Sequence, residues 1–508
     1  MNPFAEKIGW FPKGMSREER VLVNKLDFLI LIFACFSTWA NNLDVNAIYN
    51  AYESGMLEDL QLYGNKLNYL NAVYWVGTII FQIPSNMLLT VCPAEYYIPA
   101  AELMWGMFTL GTAFVKNYNQ LMVMRFFVGV TSTPCWIGNV HILNSWYRKQ
   151  ELGKRNAIYY NTYPLGSMFS GYLQNACLNT LDGRGGLQGW RWLFIVCTII
   201  TLPVSFIGIF FFPNVPDHCN SRWLTDREKE LARTRLLEEG FAPSKGITRS
   251  TLKRVFTAWP TWVFFFLANL FWQTPYASST PYLLWLGDAI YTNNTVADTN
   301  LINNLNTTSY AVSIVSAMFF AFYSDWRGNR WDSLLMAGVI VLLCNSLLLV
   351  WNISNAAKFF AFIALGFCNG PINLVVAWLA ESLAYDLEVR SIALAFTNVG
   401  YCIIQLFAPL SVWQTVDAPR YYAGYIWSVT LSVIELLMIP LPLYLERRDR
   451  RLGLHKLVQD SPITTIGYDV ELESDNQICS MPEKNGGSDK PNGEKPTSRV
   501  TTVELGSV

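Results

Sequence analysis

A small set of polar side chains sits in otherwise apolar surroundings, and any chemistry this chain performs must come from them. Arg125 opens the run Arg125-Phe126-Phe127-Val128-Gly129, and Asp44 and Glu102 lie in two further apolar segments. A guanidinium inside hydrocarbon costs at least about 2.5 kcal/mol unless it is paired or hydrated. Its use there is electrostatic capture of an anion through a planar fork of N–H donors; the alternative is that it snorkels to the outer interface. A carboxyl group that takes a proton on one side of a barrier and gives it up on the other couples movement to a proton gradient. Asp44 and Glu102 are the candidates, against the plainer readings of an acid hydrated at the outer mouth and an acid solvated at the inner interface. Asn269 and Gln273, just before Pro275, and Asn369 and Asn373, around Gly370-Pro371, can hydrogen-bond a ligand without adding charge. Helix-to-helix bonding accounts for such residues equally well.

Other chemistries find little footing. There is no phosphate-cradling glycine loop followed by Lys-Ser/Thr and no nucleophile motif. The three histidines, His141, His218 and His455, show no metal-ligand pairing. The ten cysteines are scattered, many of them in apolar runs, and read as reduced packing residues. No metal, cofactor or nucleic-acid partner is expected, and the chain does not read as an enzyme.

The elements that must hold these residues are membrane helices. With 52% hydrophobic and 15% charged residues, a chain of 508 residues has too little polar surface for a soluble globule. Apolar runs long enough for a 30 Å core recur over 29–52, 67–91, 96–115, 121–143, 156–178 and 192–212, then over 259–286, 308–323, 334–351, 359–379, 391–413 and 421–444. Lipid-exposed backbone must satisfy its own hydrogen bonds, so the expected fold class is an all-α membrane protein with 12 transmembrane helices. The expected organisation is a cytoplasmic N-terminus 1–28, a six-helix bundle 29–212, a hydrophilic connector 213–258, a second six-helix bundle 259–445 and a disordered cytoplasmic tail 446–508, the tail being rich in Lys, Glu, Gly, Ser and Pro. The first 25 residues lack the apolar core of a cleaved signal.

Basic residues crowd the segment before the first span, the loop 148–155 and the connector, whereas 288–305 has no Lys or Arg. This places both termini in the cytosol. Asn-x-Ser/Thr patterns at Asn293, Asn306 and Asn352 fall in connections on the opposite side, where a glycan acceptor would have to lie.

Six spans, a basic connector and six more spans form a 6+6 layout, in which secondary transporters rock two halves around a site near the midplane. Between spans eight and nine, Ser324-Asp325-Trp326-Arg327-Gly328-Asn329-Arg330 supplies an acid, a turn-forming glycine and a base. Asp325, Gly328 and Arg330 are candidates for a gating latch, and so is Glu381 in the charged cluster after span ten. An ordinary charged turn is the alternative. The corresponding first-half loop, 85–93, lacks acid, glycine and base.

The D-x-x-G-x-R and R-x-x-x-G patterns resemble signatures of the major facilitator superfamily. Longer stretches resemble the fungal anion:cation symporters of the allantoate permease family: Asn50-Ala51-Tyr52-Glu53-Ser54-Gly55-Met56, Gln82-Ile83-Pro84-Ser85-Asn86, Gly189-Trp190-Arg191-Trp192-Leu193-Phe194 and Asp417-Ala418-Pro419-Arg420-Tyr421-Tyr422. The stretch 144–155 and the match over 166–212 are most similar to the pantothenate transporter branch. The resemblance implies a monomeric plasma-membrane symporter that imports a small organic anion, such as pantothenate, with a proton. Allantoate, nicotinate, biotin or a sulfonate in the same fold, and a nutrient sensor without flux, remain open beside it. Family members commonly carry a basic or amide residue after the acid of span one. Here the run is Asp44-Val45-Asn46-Ala47, which puts in doubt any anion contact from position 45.

Overall fold

The computed structural model describes residues 11, 15–216, 219, 222–238, 249–290, 296–383 and 387–452. These belong to one compact unit, 1–453. All twelve expected apolar runs are helical, and no strand occurs among the described residues. Spans one to six are Arg17–Asp59, Lys66–Val91, Ala94–Ala113, Tyr118–Trp146, Lys149–Leu181 and Gly189–Phe211. Spans seven to twelve are Trp259–Ile290, Val296–Arg327, Trp331–Val350, Asn355–Ser382, Leu387–Ser411 and Tyr422–Asp449. Among the described residues, eight helices are long and apolar enough to cross a membrane, and the helix pair bent by 61° at the entry to span seven raises the number to nine. Spans two, three and five are not among those helices.

The first helix starts well before residue 29. Ser16 and Glu19 cap it reciprocally, the hydroxyl accepting from the Glu19 amide at 3.2 Å and the carboxylate accepting from the Ser16 amide at 2.8 Å. At the other end of the chain, helix continues through Arg451 into the stretch expected to be disordered. Glu446 accepts from the Trp378 indole at 2.9 Å, and Asp449 from the Trp259 indole at 2.7 Å, which pins that turn. Residues 453–508 lie outside the described set.

Spans one, five and six pack together, span three packs on six and four, and span four packs on two. In the second set, nine packs on ten and twelve, and seven on eleven and twelve. Across the two sets, five meets eight and two meets eleven. Gly129 explains the closest of these approaches. A Cβ there would run into the Tyr74 carbonyl, so a bare glycine lets spans two and four touch and sets Arg125, one turn earlier, beside Tyr74.

Candidate functional site

Arg125 faces the protein interior. Its residue is 2% exposed, its Nη2 donates to the Val45 carbonyl at a long 3.4 Å, and its Nε has no hydrogen-bond partner among the described residues. The guanidinium carbon lies 5.5 Å from the centre of the Tyr74 ring. A buried fork with most of its donors unspent is costly, and it is relieved when an anion accepts from it.

Asp44 lies within electrostatic reach of Arg125 but is not paired with it directly. Its Oδ2 instead accepts from the Trp105 indole at 2.6 Å and the Thr109 hydroxyl at 2.5 Å. Trp105 and Thr109 stand four apart on span three, so one helix face delivers both donors. Asp44 is therefore buried and hydrogen-bonded, not hydrated at an outer mouth. Val45 takes part only through its backbone carbonyl, so no anion contact comes from its side chain.

Glu102 is also enclosed, where solvation at an interface was an open reading. It accepts a very short hydrogen bond from Ser37, Cys135 Sγ lies at 3.7 Å, and its Oε2 has no partner. Asn139 donates to Ser37 at 3.0 Å. Seven residues separate Glu102 from Thr109 on span three and Ser37 from Asp44 on span one. The two acids thus sit about two turns apart along the same helix pair.

From Arg125 an aromatic chain crosses to the second half. Tyr74 meets Trp75, Trp75 meets Tyr401 of span eleven at 5.5 Å, and Tyr401 meets Trp272 of span seven at 4.7 Å. Tyr163 of span five lies within electrostatic reach of Tyr401. Next to Trp272, Gln273 is buried with both Nε2 and Oε1 unpartnered. Asn269 spends its amide nitrogen on the Phe265 carbonyl at 2.7 Å and keeps a free Oδ1. Asn369 donates to Ser278 at 3.2 Å, so the interruptions of spans ten and seven touch. Asn373 follows on the helix Ile372–Ser382, half-buried. Tyr74, Tyr163 and Tyr401 carried no local signal in the sequence.

At the charged turn, Gly328 adopts φ +68°, a left-handed conformation that favours glycine. Arg330 pairs with Glu381 at 2.6 Å and reaches Ser324 at 3.4 Å, while Arg327 pairs with Asp332 at 3.0 Å. Asp325 lies on the helix Val296–Arg327, and its side chain is outside the description. The first half carries different ion pairs near the same end: Arg155 grips Asp27 through two bonds at 2.5 and 2.8 Å, and Arg235 pairs with Glu151. Lys25 reaches Glu228 of the connector helix at 2.6 Å. Burial pushes the Glu228 carboxyl up, but bonds from Lys25 and Thr225 outweigh it and hold it below its ordinary value.

The sequon readings change. Asn293 lies outside the described residues. Asn306 does not sit in a connection: span eight begins at Val296, and Asn306 is 5% exposed inside it. A glycan needs an exposed acceptor, so this reading is corrected.

Residues 34–409 match the family described as Major Facilitator Superfamily. A pantothenate transporter of Schizosaccharomyces pombe is 32% identical over 450 residues, covering 88% of this chain and 86% of that protein. A vitamin H transporter of Saccharomyces cerevisiae is 30% identical, with coverage of 86% and 74%. Among solved structures, a D-xylose-proton symporter superposes with a TM-score of 0.59 at 13% identity, covering 81% of this chain and 97% of its own.

Proposed function

We propose that this chain, which belongs to the Major Facilitator Superfamily and is a multi-pass membrane transporter by family and relatives, imports a small organic anion of the pantothenate type by proton symport. Residue 125 carries the reading: a buried guanidinium with an unpartnered Nε is poised to bind a carboxylate. Gln273, Asn269, Asn369 and Asn373 from the opposite half supply neutral donors and acceptors for the hydroxyl and amide groups of such an acid. Binding therefore draws on both halves at once, as rocking around a central site requires.

Asp44 and Glu102 take the coupling role. Substrate anion and proton enter together, so net charge need not be carried uncompensated through a low-dielectric path. Asp44 is tied to span three through Trp105 and Thr109, and a proton on it changes the field at Arg125. The turn with Asp325, Gly328 and the Arg330–Glu381 pair acts as a gate element on the cytosolic side, where the basic loops put both termini. The protein works as a monomer in the plasma membrane, with halves built around 29–212 and 259–445.

Growth of yeast that lack their own pantothenate uptake tests this directly. Cells carrying this chain are grown on limiting pantothenate, biotin, nicotinate or allantoate at pH 5 and pH 7. Rescue on pantothenate that weakens at pH 7 is the expected result. Rescue on another acid alone reassigns the substrate, and equal rescue at both pH values removes the proton.

A further inference from the structure

Glu435, in the apolar run of span twelve, belongs to none of the groups assigned above. It is 0% exposed. Its Oε2 accepts from the Thr274 hydroxyl at 2.7 Å, and its Oε1 has no hydrogen-bond partner among the described residues. Gly338 of span nine packs against the same carboxyl group, leaving no room for a larger side chain there.

Thr274 is no ordinary neighbour. It caps the C-terminal end of the helix Trp259–Gln273, immediately before Pro275, where span seven breaks. Its carbonyl accepts from Asn345 of span nine at 2.9 Å. Side chain and carbonyl of the break are thus held by two different helices, and the acid is one of the two holders. Directly before the break stands Gln273, whose unpartnered amide belongs to the proposed anion site.

No cation offsets this carboxyl group. The helix Trp259–Gln273 has no charged residue, span nine has Asp332 at its inner end, and the helix Asn355–Phe367 has Lys358 near its start. Among the described residues, the titratable group that couples to it is the thiol of Cys368, at the end of that helix. A carboxylate in such surroundings needs several donors, and one hydroxyl does not meet that need. Once it ionises, the amide of Asn345, which already bonds the Thr274 carbonyl, and the unpartnered amide of Gln273 beside Thr274 are the donors at the break that can turn to it.

We propose that Glu435 is a positioning residue whose proton sets the bend of span seven and, through Gln273, the shape of the anion site. Protonated, it accepts from Thr274 and leaves the break as described here. Deprotonated toward the cytosol, it draws donors from the break and turns Gln273 away, which releases the anion. Proton and anion are linked because each favours the same bend. This inference rests on the proposed symport but places part of the coupling in the second half, far along the chain from Asp44 and Glu102.

The test uses the full-length protein in liposomes with labelled pantothenate, comparing wild type, Glu435→Gln, Glu435→Asp and Thr274→Val. Glutamine keeps the acceptor for Thr274 and cannot ionise. The expected result is counterflow exchange within about twofold of wild type, accumulation under an inward proton gradient reduced at least tenfold, and a flattened pH profile. Aspartate restores part of the pH dependence, and Thr274→Val shifts its midpoint. A second readout needs no transport: spin labels on either side of the break report its bend between pH 5 and pH 8. Wild type changes with pH and Glu435→Gln does not. If wild type shows this change without proton-driven accumulation, symport fails and the hinge role stands. If Glu435→Gln accumulates pantothenate like wild type with the same pH profile, or bends with pH as wild type does, the inference is overturned.

Discussion

Replacing Arg125 probes the anion site most directly. The guanidinium has one long bond to the Val45 carbonyl and a free Nε, so a carboxylate can accept from two of its N–H groups at once. Each charge-assisted hydrogen bond contributes about 1.5–3 kcal/mol, and two contribute about 3–6 kcal/mol. At 1.36 kcal/mol per tenfold, Arg125→Ala should weaken anion capture by about 10²–10⁴-fold. Arg125→Lys keeps the charge but loses the fork, and about half that energy corresponds to a 10- to 10²-fold loss. The assay is initial-rate uptake of labelled pantothenate over a concentration series, normalised to protein at the cell surface. The expected signature is a raised half-saturation concentration in the lysine variant and no saturable uptake in the alanine variant. Removing the cation also leaves Asp44 without a nearby opposite charge. Arg125→Ala combined with Asp44→Asn separates loss of capture from loss of folding, because the double variant carries no unbalanced charge. Surface-expressed Arg125→Ala with wild-type half-saturation would refute the assignment.

Three further outcomes are expected. Asp44→Asn keeps acceptors for Trp105 and Thr109 and should retain exchange while the accumulation ratio falls several-fold; steady-state uptake against a gradient measures this. The Arg330–Glu381 pair is partly exposed, and such pairs contribute about 0.2–1 kcal/mol. Single charge reversals should alter transport rate by less than about fivefold, and the swap Arg330→Glu with Glu381→Arg should restore it. Glu228 is held below its ordinary 4.5, so its contribution is present above that value and lost as pH falls through the folded-state value. Hydrogen exchange in Asp226–Glu238 should therefore be slow at pH 6 and accelerate below about pH 4 beyond the intrinsic pH effect; Lys25→Met should remove the difference.

Burial of Arg125 was legible because charge in an apolar run has few tolerable destinations. Asn369 beside Gly370-Pro371 was legible for a related reason: an interrupted helix must meet something polar. Span eight was harder. The run Asn303-Asn304-Leu305-Asn306-Thr307-Thr308 has the composition of a loop, yet it is helix because span five answers its amides, with Asn303 donating to Asn175 at 2.9 Å and Asn175 donating to Asn304 at 2.7 Å. No local reading contains a partner more than a hundred residues away. The early start of span one did carry a signal, since Ser16 and Glu19 have capping-box spacing. Glu435 carried one too, as a lone acid between Ile434 and Leu436. Its partner Thr274 becomes visible only when spans seven and twelve are brought together.

The choice of partners across the two halves bears on how they can move. Asn68 donates to the carbonyls of Pro409 and Trp413 at 2.8 and 3.0 Å, Asn65 to Gln414 at 3.1 Å, and Thr307 to the Tyr172 hydroxyl at 3.2 Å. These are neutral bonds, each with a net contribution of about 0.5–1.5 kcal/mol, and water replaces them when the surfaces part. The ion pair Arg155–Asp27, with its guanidinium fully buried, and the partly buried Arg191–Asp59 instead join helices of the same half. Breaking a buried pair costs about 3–5 kcal/mol because a charge is left stranded. Strong bonds within halves and exchangeable ones between them let each half move as a body. A ligand bridging Arg125 and Gln273 then needs only a few kcal/mol of differential affinity to shift the balance between states. On the proposed reading, only the part of the Arg125–carboxylate energy that differs between the two states drives the movement.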